Sequence, residues 1–394
     1  MKILFISYYY YPDLSAGSFR IKAMVDYLSS ISKKNEISLD ILCSSPNRYK
    51  DYRPSIDKMQ TNDINIHRVR VNKHSGGILS QSIAFMIFSL GVIRKTKNKE
   101  YDIIFASSSR LMTAALAAYI CKKYQKKNPF LYLDIRDIFF DTVDDLFNRF
   151  FFAIPKIIIN NIEKFTINAA SHVNLVSEGF RDYFDKKYPL KSFTYYTNGI
   201  DEIFMNLPLI KNSNSQIKIL YAGNIGEGQG LDKIIPHLLN ELPENYFFSI
   251  IGDGGKKRIL ANKLIALKCK NYEILPPIPQ KELIKKYQEA DILFLHLNNY
   301  KAFLKVLPSK IFEYSATHKP ICAGVSGHSK EFLKKNVSNC SVFEPCNVKD
   351  AKKAILNISF KSQKRRQFIE KYSRKKISEL IVNDILKKHN EFQS

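Results

Sequence analysis

The chain alternates strand-like and helix-like segments, and the alternation begins a second time in its second half. The apolar run Lys2–Ser7 precedes a segment from about Ser18 whose apolar residues recur at helical spacing. A second series begins with the run Ile217–Ala222, after a stretch at 198–215 that is rich in Asn, Ser, Gly and Pro. Successive strand–helix units form parallel sheets with helices on both faces. The sequence therefore predicts an α/β protein of two such domains, which face each other across a cleft suited to group transfer.

The position of the join predicts the domain boundaries. We expect an N-terminal domain at 1–200, a C-terminal domain at 201–360, and C-terminal helices at 361–394 that pack back toward the first domain. Ligands of parallel sheets bind at the carboxyl ends of the strands. Side chains that directly follow a strand are therefore the candidates for function.

Basic residues outnumber acidic ones, since 61 Lys and Arg stand against 37 Asp and Glu, for a net charge of +24. This surplus indicates an anionic partner, such as nucleic acid, a membrane surface or a phosphorylated substrate. A general composition rich in Lys, Ile and Asn is the alternative explanation. The sequence has no helix-turn-helix, zinc-finger or RNP-like motif, so we expect no nucleic-acid partner.

Cysteine and histidine spacing argues against a metal site. The six cysteines form no CxxC pair, and the eight histidines show no metal-ligand spacing. We therefore expect no metal, no disulfide framework and a reduced, cytoplasmic compartment. The run Lys2–Ser7 is interpreted as a buried first strand rather than a secretory leader.

Two apolar segments of the first half have cations close by. Ile78–Ile93 is almost wholly apolar and is followed by Arg94 and Lys95, but sixteen residues are too short to span a bilayer as a helix. Phe147–Ile167 mixes Phe and Ile with Arg and Lys. Each segment is either a buried helix or a helix that lies in an anionic membrane face.

Two glycine-rich turns of the second half each follow a predicted strand and precede a helix. Glycines in such a turn let the backbone approach a phosphate, and the helix N-terminus supplies N–H donors. Plain tight turns are the alternative, because neither turn matches a dinucleotide fingerprint or a P-loop. The candidate residues are Gly223, Asn224, Gly226 and Gln229 in the first turn and Gly252, Asp253 and Gly254 in the second.

A third candidate is the predicted start of a helix after Pro308. Ser309 and Lys310 would lie in its first turn, with Glu313 one turn further on. Lys310 could hold a diphosphate, and Glu313 could accept hydrogen bonds from a ribose. A capping arrangement with an i,i+3 ion pair explains the same residues equally well.

The first half offers candidates at the end of the strand Phe130–Asp134. Asp134, Arg136 and Asp137 cluster there, and a carboxylate at this place could orient an acceptor hydroxyl or accept its proton. A surface ion pair is the alternative. The loop after the first strand, with Gly17 and Arg20, either reaches a substrate or merely covers the sheet. Among the histidines, only His296 is a candidate to face a cleft, since it ends a predicted strand of the second half.

Four runs together resemble glycosyltransferase family 4, whose members are retaining enzymes with the GT-B fold of two Rossmann-like domains. The runs are Tyr196–Asp201, Tyr221–Gly226, Ile251–Gly254 and Pro308–Tyr314. The resemblance covers most of the chain and is best in the second half. Within the family, the sequence looks most like bacterial enzymes of surface-polysaccharide assembly, including N-acetyl-L-fucosamine transferases of O-antigen and capsule synthesis.

The resemblance implies an acceptor-binding first domain and a second domain that binds a nucleotide sugar, most simply a UDP-sugar. Gly252–Gly254 and the backbone around Ile278 would line the base and ribose, and Glu313 would hold the ribose hydroxyls. Ser309 and Lys310 would lie beside the diphosphate. Transfer would proceed with retention and without a metal. The loop residues Gly17 and Arg20 would approach the nucleotide sugar from the first domain.

The sequence departs from the family pattern at three places. Asn224 and Gln229 of the first glycine turn stand where many relatives carry Arg and Lys. Lys305 stands eight residues before Glu313, where relatives carry the first carboxylate of a Glu-x7-Glu pattern. We expect Lys305 or Lys310 to replace part of the diphosphate-binding charge. Arg136-Asp137 stands where relatives have His-Asp. We assign catalysis to Asp137, Arg136 and Glu313.

The charge and the apolar segment at 78–95 suggest where the acceptor lies. They favour a polyprenyl-diphosphate-linked glycan acceptor and a peripheral position at the inner face of the cell membrane. Two alternatives remain open. One is a sugar-nucleotide epimerase of the same fold, and the other is a non-catalytic basic protein that binds membrane or nucleic acid.

Overall fold

A computed structural model describes residues 1–47, 63–71, 78–108, 111–138, 153–208 and 216–394. These residues form two compact units. The first contains Met1–Asn198 and Arg374–Ser394, and the second contains Gly199–Ser373. Residues 147–152 of the second apolar segment and 209–215 of the predicted join lie outside the described ranges.

The first unit is a sheet of seven parallel strands in the order β3-β2-β1-β4-β5-β6-β7. Its strands are β1 Lys2–Ile6, β2 Ser38–Ser44, β3 Ile64–Val69, β4 Ile103–Ser107, β5 Phe130–Ile135, β6 His172–Leu175 and β7 Phe193–Thr194. Its helices are α1 Ala16–Ser32, α2 Ile78–Thr96, α3 Leu111–Tyr124, α4 Ala153–Ala169, α5 Arg181–Lys187 and, from the end of the chain, α13 Arg374–Gln393.

The middle strands of this sheet are buried on both faces, as near-continuous apolar runs predict. Phe5 on β1 stacks on Phe105 of β4 with ring centroids 4.5 Å apart, and Phe105 in turn stacks on Tyr132 of β5. The Tyr132 hydroxyl donates to Asp384 Oδ2 of α13 over 3.0 Å. The C-terminal helix is thereby fixed to the core of the first unit.

The second unit is a sheet of six parallel strands in the order β10-β9-β8-β11-β12-β13. Its strands are β8 Ile217–Asn224, β9 Tyr246–Asp253, β10 Tyr272–Leu275, β11 Ile292–His296, β12 Ile321–Gly324 and β13 Cys340–Phe343. Its helices are α6 Leu231–Glu241, α7 Lys257–Ala266, α8 Gln280–Glu289, α9 Lys310–Ala316, α10 Gly327–Asn336, α11 Val348–Leu356 and α12 Arg366–Lys371.

The predicted fold class is confirmed, because both sheets are parallel and each has the strand order of a Rossmann-like domain. In such a sheet the strand order reverses at one point, which lies between β1 and β4 in the first unit and between β8 and β11 in the second. Among the candidates, Gly17 follows β1, Gly223 lies at the end of β8 and Lys310 follows β11, so these follow strands that flank the two points. The candidates at Asp134 and Gly252 lie on β5 and β9, one strand further out. Within the described ranges, no helix is long and apolar enough to cross a membrane.

Candidate functional site

The two glycine turns of the second unit pack backbone against backbone. Strands β8 and β9 are in register through their last residues, which pairs Gly223 with Gly252 and Asn224 with Asp253. Gly252 has a φ of +155°, and a Cβ at this position would lie 1.8 Å from the carbonyl oxygen of Gly223. Only glycine fits this approach.

The second turn packs against the first so closely that it also requires a glycine at position 254. Gly254 has a φ of +154°, and a Cβ there would lie 2.5 Å from the carbonyl oxygen of Ile225. Backbone hydrogen bonds cross between the turns, from Ile225 N to Asp253 O and from Lys256 N to Ile225 O, each 2.9 Å long. The two turns therefore pack together as one unit through backbone contacts.

Asn224 and Gln229 hold the first turn closed. Asn224 Nδ2 donates to Gln229 Oε1 over 2.8 Å, and the Gly226 N–H donates to the same oxygen over 3.2 Å. Gly230, with a φ of +58°, ends the turn directly before α6. The structure thus brings these predicted residues together, and their contact with a nucleotide stays a prediction.

His296 supports the turn from below rather than facing a ligand. Its side chain is buried, Nδ1–H donates to the Gln229 carbonyl over 2.6 Å, and Nε2 accepts the Cys346 N–H over 2.9 Å. Burial lowers the pKa of His296 from 6.5 to about 4. The ring is therefore neutral at pH 7 and fixes the position of the Gln229 backbone.

Glu227, in the same turn, lies among cations and a tyrosine. Its carboxylate is 2.6 Å from Lys256 Nζ and accepts a hydrogen bond from the Tyr300 hydroxyl. These contacts, led by Lys256, lower the pKa of Glu227. Asn298 Nδ2 donates to the Glu227 carbonyl over 2.9 Å, which ties the end of β11 to the turn.

The helix start at Lys310 lies beside the first turn. Lys310 Nζ is 2.6 Å from Glu313 Oε2 and 2.9 Å from the Tyr287 hydroxyl, which itself donates to Glu313 Oε2. Burial and the charge of Glu313 raise the pKa of Tyr287 well above its ordinary value. A Cβ on Gly223 would lie 3.8 Å from Lys310 Cε, which shows how near the cation is to the turn.

The i,i+3 ion pair expected as one alternative is therefore present, and it is only part of the arrangement. Both contacts of Glu313 use Oε2, so Oε1 makes no hydrogen bond with any residue in the described part of the chain. Tyr314 adds a further tie, since its hydroxyl accepts the Ala222 N–H over 3.0 Å. Lys310, the buried Glu313 and the glycine turns thus pack together as one continuous element.

An open cavity of about 450 Å³ adjoins the second turn. Its lining includes Asp253, Gly254, the first-turn cations Lys257 and Arg258 of α7, and Ile274 of β10. Among the other predicted residues, Ile278 is half-buried in the loop before α8. Lys305 is half-buried after the 3-10 turn Lys301–Leu304, and Ser309 directly precedes α9.

In the first unit, Arg20 and Asp134 form a buried pair. Arg20 Nε and Nη2 donate to the two carboxylate oxygens of Asp134 over 3.0 and 2.9 Å. Arg20 also donates to the carbonyls of Tyr196 and Thr197. Burial raises the pKa of Asp134, but the charge and hydrogen bonds of Arg20 outweigh it and hold that pKa below its usual value. Contact of Arg20 with a nucleotide stays a prediction, and its full burial favours a framework role.

Asp137 lies just beyond this pair, at the carboxyl edge of the sheet. It is half-buried, and burial raises its pKa from 3.8 to about 6, against the opposing charge of Arg136. Arg136 Nη2 donates to Asn198 Oδ1 over 3.3 Å. Gly17 lies buried in the first turn of α1, whose N-cap is Ser15. A carboxyl group with a pKa near neutrality suits proton transfer.

Several residues of the site were not identified from the sequence. Tyr287, Tyr300 and Asn298 have no motif of their own, and only the position of Asn298 just after β11 could have suggested a role. Within the described ranges, no group of three or more His, Cys, Asp or Glu side chains is placed to hold a metal ion.

Sequence comparison identifies a domain in the second half of the chain. Residues 208–376 match the family model of glycosyl transferases group 1. A sequence search among curated proteins finds no match. The chain therefore carries a group 1 glycosyltransferase domain, and the predicted enzyme class is confirmed.

Solved structures share the fold over nearly the whole chain. The lipopolysaccharide outer core galactosyltransferase WaaB, in its apo form, is 13% identical with a TM-score of 0.63, covering 98% of this chain and all of its own. Anabaena HepE in complex with UDP is 14% identical with a TM-score of 0.62, and the match covers 98% of this chain and all of HepE. The sucrose-phosphate synthase of Thermosynechococcus elongatus is 11% identical with a TM-score of 0.71, and the match covers the whole of both chains. At these identities the likeness establishes the GT-B fold alone.

Proposed function

We propose that this protein is a retaining glycosyltransferase of family 4 that transfers a sugar from a UDP-sugar to a lipid-linked glycan acceptor. The observation that carries the proposal is the joining of the glycine turns to Lys310 and Glu313 in one rigid element. Anabaena HepE, of the same fold, is described in complex with UDP and glucose. A role in surface-polysaccharide assembly, with a donor such as an N-acetylated deoxy sugar, follows the sequence resemblance.

The diphosphate would bind where backbone and cation meet. The glycines of the turns carry no side chain of their own to keep a phosphate from the backbone, and Lys310 supplies positive charge close to Gly223. Negative charge grows on the leaving diphosphate as the bond to the sugar breaks, and donors fixed in advance stabilise it. Ser309 directly precedes Lys310 in the chain and Lys305 lies shortly before it, so both belong to the proposed diphosphate site.

Glu313 would orient the nucleoside. Lys310 and Tyr287 fix its Oε2, which leaves Oε1 to accept hydrogen bonds from a ribose diol. The adjoining cavity next to Gly254 has room for a base, with Ile274 as an apolar wall. The roles of Gly252, Asp253 and Ile278 in lining this nucleoside site belong to the same proposal.

Asp137 would act on the acceptor. A half-buried carboxylate with a pKa of about 6 is largely ionised at pH 7 and can orient a hydroxyl or take its proton. Arg136, which directly precedes Asp137 in the chain, carries a positive charge that favours the ionised form of the Asp137 carboxylate. The leaving phosphate would assist deprotonation on the same face of the sugar, which is one route to a retained configuration.

A membrane-surface position fits the exposed faces of two helices in the first unit. Ile83, Met86 and Leu90 of α2 are 43%, 57% and 63% exposed and lie at helical spacing on one face. Exposed cations follow directly, at Arg94, Lys95, Lys97 and Lys99. On α4, exposed Ile157, Ile158 and Phe165 adjoin Lys164. Apolar side chains beside cations suit an anionic lipid surface at the inner face of the membrane.

The test is product analysis with a panel of UDP-sugars and a polyprenyl-diphosphate-linked glycan. We expect release of UDP, an acceptor lengthened by one sugar in mass spectrometry, and a retained anomeric configuration by NMR. Glu313→Gln should lose turnover, whereas Glu331→Gln, an exposed glutamate of α10, should keep it. Conversion of the donor without any acceptor would instead support the epimerase, and no turnover with any donor would support a non-catalytic protein.

A further inference from the structure

The cavity beside the second glycine turn is lined by charged side chains that have no partner in the chain. Lys257 and Arg258 of α7 line it, together with Asp253 at the end of β9. None of these three side chains makes a hydrogen bond or an ion pair with another residue of the described ranges. Arg258 is exposed, while Lys257 and Asp253 are half-buried. Two cationic donors and one carboxylate acceptor therefore remain available to a ligand.

The stability of α7 does not account for these two cations. The neighbouring Lys256 has a structural role, because its Nζ lies 2.6 Å from a carboxylate oxygen of Glu227. Lys257 and Arg258 have no such partner, and the first turn of α7 contains no acidic residue. Positive charge at the start of a helix opposes the helix dipole. Acceptor groups of a ligand would compensate this unfavourable charge.

The cavity adjoins the proposed nucleotide site and has a suitable size. Gly254 lines it, and a Cβ on Gly254 would lie 2.9 Å from Asn224 Oδ1 of the first turn. Its volume of about 450 Å³ lies in the range of small-molecule sites. Ala261 and Ile274 give it an apolar wall against which a planar base can pack. The charged side chains are then left for the edge of that base.

The edges of the common bases differ in their order of donors and acceptors. Uracil presents a carbonyl, a ring N–H and a second carbonyl. Cytosine has an amino group in place of one carbonyl and a bare ring nitrogen in place of the N–H, and adenine also carries an amino donor. Guanine has one carbonyl followed by two donors. Two cations and a carboxylate supply two donors and one acceptor, which complements the uracil edge best.

We propose that Lys257, Arg258 and Asp253 determine the base specificity of the nucleotide site and select uracil. The two cations donate to the carbonyl oxygens, and Asp253 accepts the ring N–H. The inference rests on the proposed function, which places a nucleoside in this cavity, and extends it by assigning the choice of base to three side chains. It also separates the cations of α7 from Lys310, which serves the diphosphate.

Isothermal titration calorimetry with UDP, CDP, GDP and ADP tests the assignment on the full chain. CDP is the critical comparison, because it shares the ribose and diphosphate of UDP and differs only in its base. The variant Lys257→Met/Arg258→Met removes both donors and keeps side chains of similar length. Its matched control is Lys285→Met/Arg366→Met, at exposed positions of α8 and α12. Circular dichroism checks that both variants are folded.

We expect wild type and the control to bind UDP about tenfold or more tightly than CDP, GDP and ADP. The preference for UDP over CDP should be largely lost in Lys257→Met/Arg258→Met. A second probe needs no variant: N3-methyl-UDP lacks the ring N–H, and wild type should bind it about tenfold more weakly than UDP.

The contrary outcomes separate the inference from the proposed function. Equal weakening of UDP and CDP in Lys257→Met/Arg258→Met would place the cations at the diphosphate and overturn the inference. A wild type that binds UDP and CDP equally, or prefers another base, would overturn it as well, and the nucleotide site would stand. A wild type that binds none of the four nucleotides would refute the proposed function, and the inference with it.

Discussion

His296 couples the stability of the second unit to pH. The buried ring donates from Nδ1 to the Gln229 carbonyl and accepts the Cys346 N–H at Nε2, so both nitrogens are engaged in the neutral form. Protonation would place a hydrogen on Nε2 and turn the second contact into a clash of two donors. The perturbation to test is therefore acidification, with His296→Gln as the variant that lacks the titrating group.

The size of the effect follows from linkage. Burial keeps the folded pKa of His296 at about 4, whereas a histidine in the unfolded chain has its ordinary value of 6.5. Below pH 6.5 the unfolded chain binds a proton at this histidine that the folded protein does not bind. The contribution of His296 to stability is therefore fully present above that pH and is lost as the pH falls toward 4. Between pH 7 and pH 5 the loss amounts to about 2 kcal/mol.

Urea unfolding at pH 7 and pH 5 measures this loss. His296→Gln is expected to be less stable than wild type at pH 7, because it cannot make both contacts. The difference in free energy of unfolding between the two proteins should be about 2 kcal/mol smaller at pH 5 than at pH 7. His237→Gln, at an exposed histidine of α6, should follow wild type at both values. A gap between wild type and His296→Gln that is the same at both pH values would refute the reasoning.

Three further predictions concern the turn, the catalytic carboxylate and the membrane face. Gly254→Ala should abolish UDP binding in calorimetry and lower the melting temperature, because its Cβ would lie 2.5 Å from a carbonyl oxygen. A Cβ at Gly255 would meet nothing within 4 Å, so Gly255→Ala should bind UDP normally. Equal binding of UDP by the two variants would contradict the packed turns. The kcat/KM of wild type should fall as the pH drops below about 6, the pKa of Asp137, and Asp137→Asn should lose about 100-fold or more in kcat; an unchanged profile in the variant would exclude this role. Leu90→Glu should abolish flotation with anionic vesicles, and Ile265→Glu, at an equally exposed position of α7, should not; loss in both or neither would count against α2 as the membrane face.

Long buried strands could be predicted closely, whereas the two short edge strands of the second sheet could not. The run at 2–7 differs from β1 by one residue, because a strand buried on both faces is apolar throughout. β10 at Tyr272–Leu275 and β13 at Cys340–Phe343 were missed, and these are the two edge strands of the second sheet. Each has four residues and is half-buried, so its periodicity is too short to stand out from a loop.

Local contacts of the site could also be predicted, whereas contacts distant in sequence could not. The spacing of Lys310 and Glu313 predicts their ion pair, because residues three apart on a helix are neighbours. Tyr287 reaches the same carboxylate from 26 residues away, on another helix, and nothing in its own surroundings indicates this. Arg20 was expected in the loop after the first strand and Asp134 at the end of another strand, but their pairing joins residues 114 apart.

Thermal unfolding with UDP, GDP, ADP or no ligand tests the central claim most directly. A ligand at about 100 times its Kd adds about 2.7 kcal/mol, which raises the melting temperature of the unit that binds it by a few degrees. We expect UDP to stabilise wild type and the exposed-site control Glu331→Gln, and to leave Glu313→Gln unshifted. Absence of any nucleotide-dependent shift in wild type, or an equal shift in Glu313→Gln, would contradict a nucleotide site built on the glycine turns and Glu313.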